Sequence, residues 1–458
     1  MTTPDAPRVQ ATARSGFVRA VVVLVSGTAL AHGLTAAALP VLSRLYSPTD
    51  FGMLAVFASA LSIVSVAACL RYELAVPLPE QNDDALHLLA LAIGCALGLA
   101  TLLALPVLLA PVWIARQLGQ PALAPHLWLL PVGVALAGAY SALQFWFVRQ
   151  KGFGLLARTR IAQSACSVGT QVGLGWWAAV GPLGLLLGHV MNTGIACLLL
   201  GGKMAHASHR LAWAKTRAVA REYSRFPKYS TFEAVANSAS IQLPIIMIAA
   251  LAVPSEAGYL MMAMTVMQAP MSLIGTAISQ VFLSRAPVEH REGRLGIFTV
   301  DILSALFKAG VGPLIAVGVL SPLLFGLVLG AGWQRAGFLV AWMTPWFILQ
   351  FIVVPISMAL HVTNHQRAAL LLQLAGIVIR VGAVIAAPYL MPGKVSEIYA
   401  VSGFFFYLLY LAVVLRLVAA SARNLLAALT KALPIILGWV LASGVSAQLL
   451  RNVLTALR

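Results

Sequence analysis

The sequence predicts an all-α membrane protein of about twelve transmembrane helices, and three observations carry that expectation. Hydrophobic residues make up 60% of the chain and charged residues only 9%, where soluble globular proteins hold roughly 45–50% and roughly 25%. So few charges cannot cover a water-facing surface. The apolar residues gather in runs of about 20, the length one helix needs to cross the hydrocarbon core of a bilayer. The basic residues, which leave a net charge of +17, punctuate these runs instead of gathering on one face as in a nucleic-acid binder.

The first run, 17–42, follows a polar tail with Arg8, Arg14 and Arg19. It is too long for the apolar core of a cleavable signal, so it reads as a span with a cytoplasmic N-terminus. Runs at 51–70, 86–112, 127–148, 161–179 and 182–201 complete a first set of six. A second set falls at 232–252, 257–284, 297–320, 337–361, 368–388 and 397–417. The expected organisation is therefore an N-terminal lobe 1–202, a basic cytoplasmic linker 203–231, a C-terminal lobe 232–420 and an apolar tail 421–458. Within the tail, 425–450 is apolar enough for a thirteenth span, and the sequence leaves its course open. This threading puts 22 of the 30 Lys and Arg on the cytoplasmic side, against Arg44, Arg116, Arg335 and Lys394 outside. Such a positive-inside bias supports both the orientation and the count.

One segment of each set reads as an internal repeat, with the general likeness of any two helix starts as the alternative reading. Pro48-Thr49-Asp50-Phe51-Gly52-Met53-Leu54 aligns with Pro254-Ser255-Glu256-Ala257-Gly258-Tyr259-Leu260 at an offset of 206 residues, and both copies open the second helix of their set. Asp50, Glu256 and Glu397 stand at helix starts, where a carboxylate caps free backbone N–H groups and suits the positive dipole end. Six is even, so the repeats are parallel, a plan that usually leaves a central cavity between two lobes. The segment 203–229, with seven basic residues and Trp213, reads either as a strip along the cytoplasmic leaflet drawn by anionic lipid or as a plain topogenic loop.

The candidates for chemistry are few. No outside loop offers the paired carboxylates of general acid–base work, so an enzyme that transfers or polymerises sugars is not expected, and no catalytic residue is assigned. The nearest approach to a phosphate-binding loop, Gly202-Lys203, has Cys197 where its first glycine belongs and Met204 where Ser or Thr belongs, which excludes ATP hydrolysis by this chain. No cofactor or metal is implied. Cys69, Cys95, Cys166 and Cys197 sit in apolar runs as small hydrophobes, and His32 and His189 are given no role.

Lys308 and Arg380 lie about 11 and about 12 residues into their spans, near mid-membrane at ~1.5 Å per residue. A cation there costs at least ~2.5–3.5 kcal/mol on insertion scales and normally faces a cavity or a partner. Both are candidate contacts for an anionic substrate; the competing reading satisfies them on backbone carbonyls or an acid from another helix. Arg71, at the cytoplasmic end of the second span, is a third candidate, unless Glu73 neutralises it. Glu73, Glu233 and Asp301 are the candidates for a coupling proton or Na⁺, each with helix anchoring as the alternative.

Several segments together resemble the Wzx-type oligosaccharide flippases of the multidrug/oligosaccharidyl-lipid/polysaccharide exporter superfamily. They are Leu42-Ser43-Arg44-Leu45-Tyr46-Ser47-Pro48 with Asp50-Phe51-Gly52, Leu70-Arg71-Tyr72-Glu73-Leu74-Ala75, and Tyr223-Ser224-Arg225-Phe226-Pro227-Lys228-Tyr229-Ser230. To these add Gln268 to Gly275 with Ser279-Gln280-Val281-Phe282, and Gly330 to Gly337 followed by Pro345-Trp346. The resemblance spans about 20–420. It implies export of an undecaprenyl-diphosphate-linked oligosaccharide across the bacterial inner membrane by alternating access, with lipid and other polysaccharide-assembly membrane proteins as partners. A drug exporter of the same superfamily is the rival reading; it would favour an acidic cavity, against which Lys308 and Arg380 stand.

Overall fold

A computed structural model describes residues 6–177, 181–204, 212–363 and 365–456, with side chains from residue 26 onward except at 272–274, 276, 277, 280, 284, 361 and 366. Among these residues every regular element is helical. The helices are α1 (Ala6–Leu45), α2 (Pro48–Ser65), α3 (Asn82–Leu109), α4 (Pro111–Gln117), α5 (Leu129–Arg149), α6 (Phe153–Trp176), α7 (Leu183–Met204), α8 (Trp213–Glu222) and α9 (Thr231–Leu251). They continue as α10 (Glu256–Arg291), α11 (Leu295–Leu306), α12 (Gly312–Leu324), α13 (Gln334–Ile356), α14 (Ala359–Val362), α15 (Gln366–Leu390), α16 (Val395–Leu417) and α17 (Ala422–Ala456).

Each expected span falls on a helix, and ten helical segments among the described residues are long and apolar enough to cross a membrane. One of them is the tail. Ala422–Ala456 is a single 35-residue helix, so the segment whose course the sequence left open is itself a candidate span. Hydrocarbon favours helices because their backbone hydrogen bonds are internal, and Pro106, Pro244, Pro270 and Pro434 lie within long helices, where each removes one such bond.

The contacts cluster into two units. One holds Met1–Ala38, Ala60–Ile114 and Ala124–Ser238; the other holds Leu39–Ser59, Ala115–Leu123 and Ala239–Arg458. In the first, α5 packs on α3 and α7, and α6 on α7. The buried Cys69 thiol donates to the Gly138 carbonyl and the Cys197 thiol to that of Leu136, both as small packed groups. The linker helix α8 is docked on the start of α3. Lys215 pairs with Asp83 and Asp84, the Ala212 N–H donates to His87 Nε2 at 3.2 Å, and the Tyr72 hydroxyl donates to the Ala220 carbonyl at 3.1 Å. Trp213 is 80% exposed.

In the second unit α13 is the centre, packed against α10, α12 and α16, while α17 lies along α11 and α12. Small residues allow the close approaches: a Cβ on Gly337 would lie 2.4 Å from the Ser321 carbonyl oxygen, and one on Gly312 would lie 2.1 Å from the Trp439 ring. The span 295–329 is interrupted twice by π-helical turns, Phe307–Val311 and Phe325–Leu329, and ends at Gly330, whose φ of 107° only glycine adopts readily.

Candidate functional site

The sequence singled out Arg380 by depth alone, and the fold gives it specific surroundings. It is 5% exposed on α15. Its guanidinium carbon stands 4.3 Å from the centre of the Phe406 ring, 5.5 Å from that of Tyr407 and 5.8 Å from that of Trp346. Glycines admit those rings: a Cβ on Gly376 would lie 2.7 Å from Phe406, and one on Gly403 would lie 2.4 Å from Trp346. Tyr399 meets Trp346 edge-on at 5.2 Å. Among the described residues no carboxylate pairs with Arg380, and neither its Nε nor the Trp346 Nε1 has a hydrogen-bond acceptor. The guanidinium is hydrogen-bonded to the Tyr407 hydroxyl, and the ring quadrupoles add to what stabilises a desolvated cation here.

Lys308 lies in the π-helical turn Phe307–Val311 and is exposed. The turn is held from both sides, because Gly310 abuts Phe351 of α13 and Gly312 abuts Trp439 of α17. No ion pair to Lys308 is formed among the described residues; Asp301, seven residues earlier on α11, is also exposed and also forms none. Glu233 is exposed in the first turn of α9.

Arg71 and Glu73 come together. The second span ends at Ser65, and after a series of turns Arg71 takes a left-handed conformation, φ 62°, that starts the 3₁₀ turn Tyr72–Ala75. Arg71 Nη1 lies 3.5 Å from Glu73 Oε1, so the neutralising alternative is the one the geometry adopts. Burial pushes the Glu73 carboxyl above its ordinary pKa, against the pull of a backbone hydrogen bond and of Arg71. Arg71 Nε and Glu73 Oε2 are both buried without a hydrogen-bond partner.

One constellation escaped sequence reasoning. Asp50 is a cap, accepting from the Ser47 N–H at 2.9 Å while its own N–H donates to Ser47 Oγ. Glu256 and Glu397 are not. Arg335 donates through Nη1 and Nη2 to both oxygens of Glu397, at 2.7 and 3.0 Å, and through Nη2 to Glu256 at 2.8 Å. Both carboxylates are buried, and together the three residues tie the starts of α10, α13 and α16. The available signal was that all three stood at helix starts assigned to the same side of the membrane.

The motifs noted in sequence also meet in space: the Trp333 ring N–H donates to the Ser43 carbonyl at 2.9 Å, and Trp346 is a wall of the Arg380 cage.

A family model described as "Polysaccharide biosynthesis protein" matches residues 41–337. No curated protein sequence matches. Solved structures with a similar fold include the lipid II flippase MurJ in an inward closed conformation, at TM-score 0.69 and 13% identity over 96% of this chain and 98% of that one. An inward-facing multidrug resistance MATE family transporter is similar at TM-score 0.54 and 10% identity, over 90% and 95%. A transporter of the same superfamily from Pyrococcus furiosus, described as having a binding pocket of reverse polarity, is similar at TM-score 0.52 and 13% identity, over 91% and 96%.

Proposed function

This chain belongs to the polysaccharide biosynthesis protein family and has the MurJ/MATE-type transporter fold, and from that premise we propose that it is a Wzx-type flippase. Its substrate is an undecaprenyl-diphosphate-linked oligosaccharide, carried across the bacterial inner membrane by alternating access for O-antigen or exopolysaccharide assembly. The helices of 1–202 and of 232–420 are the moving halves, 203–231 is their cytoplasmic link, and the N-terminus is cytoplasmic. The chain acts as a transporter and not as an enzyme.

The observation that carries this reading is Lys308. An exposed ammonium within an apolar span, lacking an ion-pair partner and set in a π-helical turn, suits an anionic group that comes and goes. A lipid diphosphate is such a group, and its prenyl tail remains in the bilayer. Arg380 adds a fixed positive charge within the same unit, while Arg71 in the first unit is paired with Glu73 and is free for an anion only when that carboxyl is protonated. Of the three coupling candidates, Glu73 is favoured over Glu233 and Asp301, because only its carboxyl is buried with an oxygen that lacks a partner. Other polysaccharide-assembly membrane proteins are the expected partners.

Flipping of a fluorescent undecaprenyl-diphosphate oligosaccharide in proteoliposomes tests the reading. The natural protein is expected to move the lipid and a Lys308→Gln variant of equal stability to move it at least about tenfold more slowly, as loss of one charge-assisted phosphate contact implies. A natural protein that flips none of it would overturn the proposal.

A further inference from the structure

The starts of α2 and α10 are held together in a way that repeats itself. Pro48 to Gly52 and Pro254 to Gly258 occupy the same frame of the internal repeat, and in the fold they touch reciprocally. A Cβ on Gly52 would lie 2.3 Å from the Pro254 carbonyl oxygen, and a Cβ on Gly258 would lie 2.0 Å from the Pro48 carbonyl oxygen. Each glycine thus admits the equivalent carbonyl of the other copy, and neither position has room for a side chain.

Two further groups brace this crossing. Trp333, 2% exposed, receives Phe51 at 5.0 Å and Tyr259 at 6.1 Å, both edge-on, and its ring N–H donates to the Ser43 carbonyl. Phe51 precedes Gly52, and Tyr259 follows Gly258. Gln120 donates from Nε2 at 3.0 Å to the Pro254 carbonyl, the same oxygen that faces Gly52. Leu39–Ser59 and Ala115–Leu123 belong by chain order to the first helix set, yet they cluster with Ala239–Arg458. The crossing is therefore where the first set of helices is joined to the second at this end.

We propose that this reciprocal crossing is a latch that closes one end of the transport path, with Gly52 and Gly258 setting its closest approach and Trp333 and Gln120 holding it shut. The proposal rests on the alternating-access reading given above. A latch must be firm but separable. This one consists of backbone contact, ring edges and two neutral hydrogen bonds, so opening strips no buried charge of its partner, the step that makes breaking an ion pair costly.

The test measures accessibility and needs no substrate. In a full-length protein with the four native cysteines replaced, a single cysteine is placed at Ala55, which is 3% exposed on α2 just beyond the crossing. Its labelling by a polyethylene-glycol maleimide is followed in the purified protein. Trp333→Phe removes the hydrogen bond to Ser43 and trims the buried ring that Phe51 and Tyr259 meet edge-on, and it is expected to raise the labelling rate at least about fivefold, the population shift for the one neutral hydrogen bond alone. Gly258→Val wedges the crossing and is expected to raise it further. Gly98→Val, at a position with nothing within 4 Å of the added Cβ, is expected to leave it unchanged.

Unchanged labelling in Trp333→Phe, in protein that is monodisperse and of natural melting temperature, overturns the latch even where Gly258→Val fails to fold. Equal increases in all three variants overturn it too, because the effect would then be general loosening. A protein that labels as expected but flips no lipid keeps the latch and loses the flippase reading; one that flips lipid with unchanged labelling does the reverse.

Discussion

The guanidinium carbon of Arg380 lies 4.3 Å from the centre of the Phe406 ring. Two further rings close on the same cation, and no carboxylate pairs with it among the described residues. A cation held this way lends the interior of its unit a positive field without a counter-charge that would cancel it.

That arrangement separates stability from transport. Arg380→Met keeps the volume and removes a desolvated charge, so its melting temperature in detergent is expected to stay within a few degrees of the natural protein or rise, as buried charges replaced by apolar residues often allow. Arg380→Ala empties the cage and is expected to lose about 2–4 kcal/mol. If the charge serves the substrate, flipping falls in both variants alike; flipping that follows stability instead assigns Arg380 to packing alone.

Arg335 stands between two buried carboxylates that have no other partner among the described residues. Arg335→Ala is expected to destabilise by about 3 kcal/mol, the lower end of the range for breaking a buried pair because Arg335 itself is partly exposed. Replacing Glu256 and Glu397 by Gln in the same chain is expected to recover a large part of that loss. Thermal unfolding of the three proteins checks both statements, and a triple variant no more stable than Arg335→Ala would mean that the arginine acts through its packing.

Glu73 predicts a pH dependence. Its folded-state pKa is raised by burial, so the folded protein binds more protons than the unfolded chain between the ordinary carboxylate pKa and the raised one. Stability is therefore expected to fall as pH rises through that window and to level off above it. Glu73→Gln removes the ionisable group, and its melting temperature is expected to lose this slope while matching or exceeding the natural protein near neutrality. Stability that rises with pH across the same window, and keeps rising in the variant, would contradict the assignment.

Gly310 links packing to the candidate substrate contact. An added Cβ there would lie 2.2 Å from the ring of Phe351, which is itself 2% exposed. Gly310→Val is expected to cost about 1–3 kcal/mol by overpacking, and to slow flipping more than that loss explains, because the turn it disturbs carries Lys308. Phe351→Leu in the same chain makes room and is expected to restore both; restoration of stability without transport would separate Lys308 from the turn's geometry.

Much of the fold was legible in advance because hydrocarbon permits so few backbone solutions. Apolar runs of spanning length must become helices, and the runs near Phe51, Leu86, Leu295 and Val395 did so within a few residues of where composition put them. Gly52 and Gly258 could be paired from the repeat, since equivalent positions in a duplication are visible as spacing. The tail beyond Leu425 was ambiguous because it is apolar enough to span, yet a thirteenth span would leave Arg451 and Arg458 outside; its packing along α11 and α12 gives it a place.

The site was less legible, for a physical reason. What an ionisable group does depends on partners hundreds of residues away, and linear spacing carries no record of them. Glu256 and Glu397 looked like caps because each opens a helix, but Arg335 reaches both only after three helices converge. Arg380 was conspicuous by depth, while its cage is built from α13 and α16. The sequence by itself determined that this chain must be a bundle of membrane-spanning helices with a two-fold repeat, since those properties follow from local hydrophobicity, length and periodicity. Only the tertiary structure decided which charges are paired, which are caged by rings and which stay exposed, because long-range packing alone sets the distance between a charge and the groups that can stabilise it.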